Sequence, residues 1–164
     1  MEPLIREATK ADLDRVNEIF DTVIVDTHIS FDTEPWTREQ REAWFETKKP
    51  PHIVLVAEVG GELVGISYSS PLKPKRAYDS SVETTIVLDP AVVGEGIGTR
   101  LLETLLEHLE DAGFHRAYAH IALPNDASVA AHEKLGYELI GIQDEVGHKL
   151  DKFWSVGIWE KKFA

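Results

Sequence analysis

A glycine-rich segment, Val93-Gly94-Glu95-Gly96-Ile97-Gly98-Thr99, lies between a strand-like stretch closed by Asp89-Pro90 and the longest amphipathic helix pattern of the chain. That placement demands a βα unit whose helix begins in the glycines. The first turn of a helix leaves backbone N–H groups unpaired and carries the positive end of the dipole. Glycine there lets a phosphate come close to the main chain, so the segment reads as a pyrophosphate cradle. A flexible glycine loop is the plainer alternative. A Walker loop is excluded because no Gly-Lys-Ser/Thr follows, and a dinucleotide fingerprint fits poorly because Thr99 stands where its third glycine belongs.

The flanking pattern predicts one mixed α/β domain over residues 1–164, in the order βααβββ and then αβαββ. Leu4-Ile5-Arg6 reads as a strand, and Thr9 caps a helix whose apolar face is Leu13, Val16, Ile19, Phe20 and Val23. Thr37 and Gln40 form a capping-box signature for a second helix carrying Trp44 and Phe45. Strands follow at 53–57 and 63–68 around a Gly60-Gly61 turn, and at 82–88. Ile97, Leu101, Leu105 and Leu109 mark the long helix. A strand at 116–122, a short helix after Asn125, and strands at 137–142 and 153–159 complete the order.

Composition narrows the class. The 164 residues suffice for a core without staples, and Cys is absent, which removes disulfides, thiolate metal sites and a cysteine nucleophile. No metal is expected. With 17 basic and 29 acidic residues the net charge is −12, the wrong sign for nucleic-acid binding by counterion release. No apolar run reaches the roughly 18 residues of a membrane span, and the first residues lack the pattern of an export signal. A cytoplasmic enzyme or binding domain is the expectation.

Several side chains carry chemistry-bearing alternatives. Glu83, on the strand before the glycine loop, is either a solvated carboxylate or, beside a cofactor cleft, a general base. Asn125 and Ser128 read first as a helix cap, and His132 as a helical histidine. Lys75, Arg76 and Tyr78 make the compact basic stretch of an acidic chain, a candidate for binding a carboxylate or phosphinate.

Nine segments taken in order add a further reading. They are Ile5-Arg6-x-Ala-Thr, Phe31-x-Thr-Glu-Pro35, Ala77-Tyr78-Asp79, Glu83-x-Thr, Gly94-x-Gly-x-Gly98, Asn125-Asp126-x-Ser-Val129, His132-Glu-x-Leu-Gly-Tyr137, Val146-Gly147-x-Lys149 and Val156-Gly-x-Trp159. Together they resemble the GNAT superfamily of acetyl-CoA-dependent N-acetyltransferases, in particular its phosphinothricin acetyltransferase-like branch, which includes methionine sulfoximine and sulfone acetyltransferases. The likeness covers nearly the whole chain. It implies a central, largely antiparallel sheet of about seven strands with a splayed pair, flanked by about four helices.

The resemblance also implies roles. The backbone of Ile86, Val87 and Leu88 would bind the pantetheine arm of acetyl-CoA as an added strand. Amides of Gly94, Glu95, Gly96, Ile97, Gly98 and Thr99 would hold the pyrophosphate, and Asn125 and Ser128 would reach the cofactor from the far side. Glu83 would be the general base, a backbone N–H near Val87 the oxyanion donor, and His132 or an ordered water the general acid. Phe31, Lys75, Arg76, Tyr78 and Thr85 would orient a small acidic amine. The branch implies a homodimer, with Trp36, Trp44 or the C-terminal strand as contacts. A peptide acetyltransferase or a non-catalytic acetyl-CoA sensor are the alternatives.

This chain departs from the branch in places. Val93 stands where a polar residue usually contacts the cofactor, a loss of about 1.5–3 kcal/mol for one charge-assisted bond. Asp32, Ser80 and Phe153-Trp154-Ser155 replace a basic residue, an aromatic and a Trp-His-Asp stretch, which points to a different acceptor.

Overall fold

The computed structural model describes residues 2–164. Strand β1 (Leu4–Glu7) leads through a short 3-10 turn into helices α1 (Leu13–Asp26) and α2 (Arg38–Glu46). The meander β2 (Val54–Val59), β3 (Glu62–Pro71) and β4 (Ser81–Leu88) follows. Then come α3 (Ile97–Asp111), β5 (Arg116–Leu123), α4 (Asp126–Lys134), β6 (Glu138–Lys149) and β7 (Lys152–Lys162). The order agrees with the expectation, as do both caps: Thr9 N–H donates to Asp12 Oδ2 at 2.7 Å and Gln40 N–H to Thr37 Oγ1 at 3.1 Å.

The strands form one sheet, β1-β2-β3-β4-β5-β7-β6, antiparallel throughout except between β4 and β5. Alternation along each strand splits the core in two. Leu55, Ala57, Val82, Ala117, Ala119 and Ile121 face α3 with its Leu101, Leu102, Leu105 and Leu109. Val54, Val56, Ile66 and Val87 face α1 with its Val16, Ile19, Phe20 and Val23. This is the seven-stranded, four-helix mixed architecture that the sequence implied.

Two differences have local causes. Strand β6 runs seven residues past Ile142, to Lys149, and is largely exposed. Its second half, Gln143-Asp-Glu-Val-Gly-His148, shows no alternation because a register irregularity falls between Gln143 and Gly147. The β6–β7 turn places Leu150 and Asp151 at φ 54° and 58°, a left-handed pair usually filled by Asn-Gly. Nothing in Lys-Leu-Asp-Lys announces such a turn.

The second concerns Arg41, a charged residue of α2 that lies inside the protein. It is 1% exposed, with its guanidinium carbon 4.3, 4.1 and 4.9 Å from the ring centres of Phe20, Trp36 and Trp44. Its Nε–H donates to Asn17 Oδ1 at 2.8 Å, joining α2 to α1. Burial lowers its pKa. Trp36 and Trp44, suggested as dimer contacts, are thus half-buried walls around this cation.

Candidate active site

The parallel pair β4–β5 is hydrogen-bonded over three residue pairs only, ending at Glu83↔Tyr118. Beyond Glu83 the strands part, and a wedge opens between Thr84–Leu88 and His120–Leu123. Register decides which main-chain groups face it. Asp89 N–H donates to Val64 O at 2.8 Å across β3–β4, so odd-numbered residues of β4 spend their backbone groups on β3. Ser80 O accepts from His115 N at 2.8 Å on the β5 side, so even-numbered residues face the wedge. Thr84 N–H makes the last bond, to Tyr118 O, so the C=O of Thr84 and the N–H and C=O groups of Ile86 and Leu88 have no strand partner there. Val87, expected to lend its backbone, turns it toward β3 instead.

The wedge is continuous with the start of α3. Gly94 and Gly96 have φ of 91° and 81°, a backbone open to glycine at little cost. The first intrahelical bond, Arg100 N–H to Gly96 O at 3.2 Å, leaves the N–H groups of Ile97, Gly98 and Thr99 without intrahelical acceptors. At Gly98 a Cβ would lie 3.0 Å from Leu88 Cδ1, so helix and strand approach more closely than a side chain permits comfortably.

A cleft of about 380 Å³ runs along these features, lined by Ile86, Val87, Leu88, Gly94, Gly96, Gly98 and Thr99 on one wall and Asn125, Ser128 and Lys134 on the other. Val93, half exposed, lies at its edge, and Lys134 is its one charged lining side chain among the described residues. Asn125 Oδ1 accepts the Ser128 N–H at 3.3 Å, so one residue both caps α4 and borders the cleft. Glu95 and Ile97 do not line it. The first is exposed, and the second is buried in the α3 core.

A second cavity of about 160 Å³ adjoins the cleft and shares Ile86, Val87, Asn125 and Ser128 with it. Glu83, Thr85 and His132 line it, joined by Asp32, noted above as a departure from the branch, and by Tyr68 and His120, which carry no sequence signal. His120 Nδ1 lies 2.7 Å from Glu83 Oε2. The bond from Glu83 raises the His120 pKa, with burial opposing.

His132 is 2% exposed and its Nδ1 is 2.7 Å from Ser128 O. A carbonyl oxygen only accepts, so Nδ1 carries the proton and Nε2 a lone pair. Burial pushes its pKa down, in favour of the neutral ring, with the Ser128 bond opposing. Tyr137 stands edge-on at 4.9 Å and shares a 2.6 Å bond with Thr84 Oγ1; burial drives its phenol above the usual range.

The remaining predicted residues lie elsewhere. Lys75, Arg76 and Tyr78 sit on an exposed turn and line neither cavity. Phe31 also lines neither; its ring lies against Gly147 of β6, where no side chain would fit. Lys149 Nζ donates to Ser30 O at 2.7 Å, and Trp154 stacks on His28 at 4.1 Å, so the β6–β7 end braces the 28–32 loop. Among the described residues no group of three or more metal-ligating side chains occurs, and no helix is long and apolar enough to cross a membrane.

A sheet parted beside a helix start, with unpaired strand backbone on one wall, offers main-chain groups to an extended ligand that carries a phosphate at one end. The profile of the acetyltransferase (GNAT) family matches residues 18–137, and the chain belongs to that family. It is 37% identical over 161 residues to the phosphinothricin N-acetyltransferase of Streptomyces coelicolor, covering 96% of this chain and 94% of that one. It is 30% identical over 155 residues to the L-methionine sulfoximine/L-methionine sulfone acetyltransferase of Pseudomonas aeruginosa, covering 93% and 90%. The crystal structure of a GNAT-superfamily phosphinothricin acetyltransferase from Sinorhizobium meliloti in complex with acetyl-CoA superposes with a TM-score of 0.96 at 27% identity, covering 100% of this chain and 90% of that one.

Proposed function

We propose that this protein moves an acetyl group from acetyl-CoA to the free α-amine of a small acidic amino-acid-like molecule of the phosphinothricin, methionine sulfoximine or methionine sulfone type, by direct transfer in a ternary complex. The observation that carries the reading is the position of Glu83, at the apex of the β4–β5 wedge, in the smaller cavity that adjoins the long cleft. The names of the relatives support the acceptor class, and a cavity of about 160 Å³ suits a single amino acid rather than a peptide.

The donor would supply an activated acyl group as a thioester. Backbone groups of Ile86 and Leu88 hold its arm in the manner of an added strand. The N–H groups of Ile97, Gly98 and Thr99 meet its pyrophosphate at the helix start. Glu83 takes the proton of the acceptor amine as its lone pair is freed for attack. A backbone N–H facing the wedge from β4 hydrogen-bonds the carbonyl oxygen as charge builds there. The neutral His132, with Nδ1–H already given to Ser128, offers Nε2 as an acceptor; water in the cleft protonates the leaving sulfur. Thr85 borders the acceptor. Phe31, Lys75, Arg76 and Tyr78 are assigned no contact with it.

Gly96→Val forces a branched residue into left-handed backbone, at about 1–2 kcal/mol, and disturbs the helix start. Acetyl-CoA affinity falls about tenfold by calorimetry; unchanged affinity removes the cradle from the proposal. Acetyl-CoA is an intracellular metabolite, which makes the cytoplasm the compartment of the reaction. Homodimerisation belongs to the same reading, supported by exposed Leu139, Ile140, Ile142 and Phe153 on the β6–β7 hairpin. Light scattering at micromolar protein then gives twice the chain mass, and a single-chain mass refutes it.

A thiol-release screen over phosphinothricin, methionine sulfoximine, methionine sulfone, ordinary amino acids and a short peptide tests the function. Release with an acidic amino-acid analogue supports it. Release with the peptide alone, or with no amine despite bound acetyl-CoA, overturns it in favour of a peptide acetyltransferase or a sensor.

A further inference from the structure

Glu83 and Tyr118 are the last register partners of β4 and β5. His120 follows Tyr118 by two residues, so it projects from the same face as Glu83, across the mouth of the wedge. There main-chain pairing has ceased, and the contact that spans the gap is His120 Nδ1 to Glu83 Oε2, 2.7 Å. Both side chains are a little over one-third exposed, and both line the cavity assigned to the acceptor.

We propose that His120 is the positioning residue for Glu83: its Nδ1–H holds Oε2 and leaves Oε1 turned to the acceptor's proton. The inference rests on the reading of Glu83 as the base. A free glutamate turns about three side-chain bonds, and most of its rotamers aim away from any one point in the cavity. One short bond to a ring fixed on the neighbouring strand removes that freedom. The charge on His120 also sets how firmly the carboxylate is engaged. As an imidazolium it occupies the carboxylate's lone pairs in a charge-assisted bond. As a neutral ring it still donates from Nδ1 but no longer adds a full charge.

Other charges face the pair. Asp32 from the 27–37 loop, Tyr68 from β3 and His132 from α4 line the cavity. Lys48, after α2, acts on Glu83 from the β3 side, where its Nζ donates to Ser70 Oγ at 2.6 Å. Tyr118 and Glu160 bond to each other at 2.7 Å beside His120. His120 is the one in direct contact with Glu83 through an ion pair. Because its pKa is raised, its charged form persists to higher pH than an ordinary histidine's, and activity climbs only as that proton leaves.

The test uses the full chain, with whichever acceptor the thiol-release screen identifies. His120→Ala lowers kcat about tenfold, leaves KM for acetyl-CoA within about twofold, and moves the acid limb of kcat/KM to lower pH. His120→Gln supplies an uncharged N–H donor, restoring kcat to within about threefold of the parent without restoring the limb. Near-parental kcat and an unmoved limb in His120→Ala overturn the inference, as does failure of Gln to exceed Ala. A readout independent of turnover separates this from the assignment of Glu83 itself. In an NMR titration of the His120 ring, the midpoint falls when Glu83 is changed to Gln; equal midpoints sink the pairing. A lowered midpoint with undiminished turnover in Glu83→Gln keeps the pair and rejects Glu83 as the base, and His120's positioning role with it.

Discussion

Glu83→Gln lowers kcat about 10²–10³-fold while acetyl-CoA binds within about twofold of the parent affinity. The amide keeps the size of the carboxyl and can hydrogen-bond, but it has no lone pair basic enough to take the amine's proton. The long cleft proposed for the cofactor is lined by β4 residues 86–88, the glycines and α4, and Glu83 is not among its walls. Binding and chemistry therefore separate cleanly. Steady-state thiol release beside calorimetry measures both. A loss of only a fewfold in kcat rejects Glu83 as the base, and a parallel loss of cofactor binding shows that the substitution disturbed the wedge instead.

The largest effect on stability is expected at Arg41. Its guanidinium fills the space between Phe20, Trp36 and Trp44, and its Nε–H satisfies Asn17. Arg41→Ala empties that space and leaves the Asn17 acceptor without its partner, about 3–5 kcal/mol by analogy with large-to-small core changes. For a chain of this size that lowers the melting temperature by about 10 °C. Arg41→Met refills the volume with a flexible apolar chain and loses less than half as much. Thermal unfolding followed by circular dichroism compares the two. Equal losses in both variants mean that charge, not packing, holds α2 to α1.

Much of the site was readable because its signals are local. Glycines before an amphipathic helix announce a helix start with free N–H groups, and Gly94, Gly96, Gly98 and Thr99 indeed border one cleft with Asn125 and Ser128. What escaped depends on distant pairing. His120 carries no motif, and its meeting with Glu83 follows from a parallel register that pairs residues 35 positions apart in sequence. The inward backbone of β4 was assigned to three successive residues, whereas a strand alternates and gives the wedge only every second one. Arg41 sits amid a charged stretch, Arg38-Glu-Gln-Arg-Glu42, that reads as surface. Aromatic rings contributed by three other positions, two of them beyond helix α2, draw it inside. Neither the charge of Lys75-Arg76 nor the family resemblance says which wall their loop joins.

Three residue pairs, with the His115 N–H to Ser80 O bond beside them, stitch β1–β4 to β5–β7 through the main chain. Everything beyond Glu83 is a missing seam, and the thioester's arm, lying along Ile86 and Leu88, would serve as its thread. Occupancy and mechanical cohesion then become one quantity: the tighter the guest is held, the harder the two half-sheets are to pull apart.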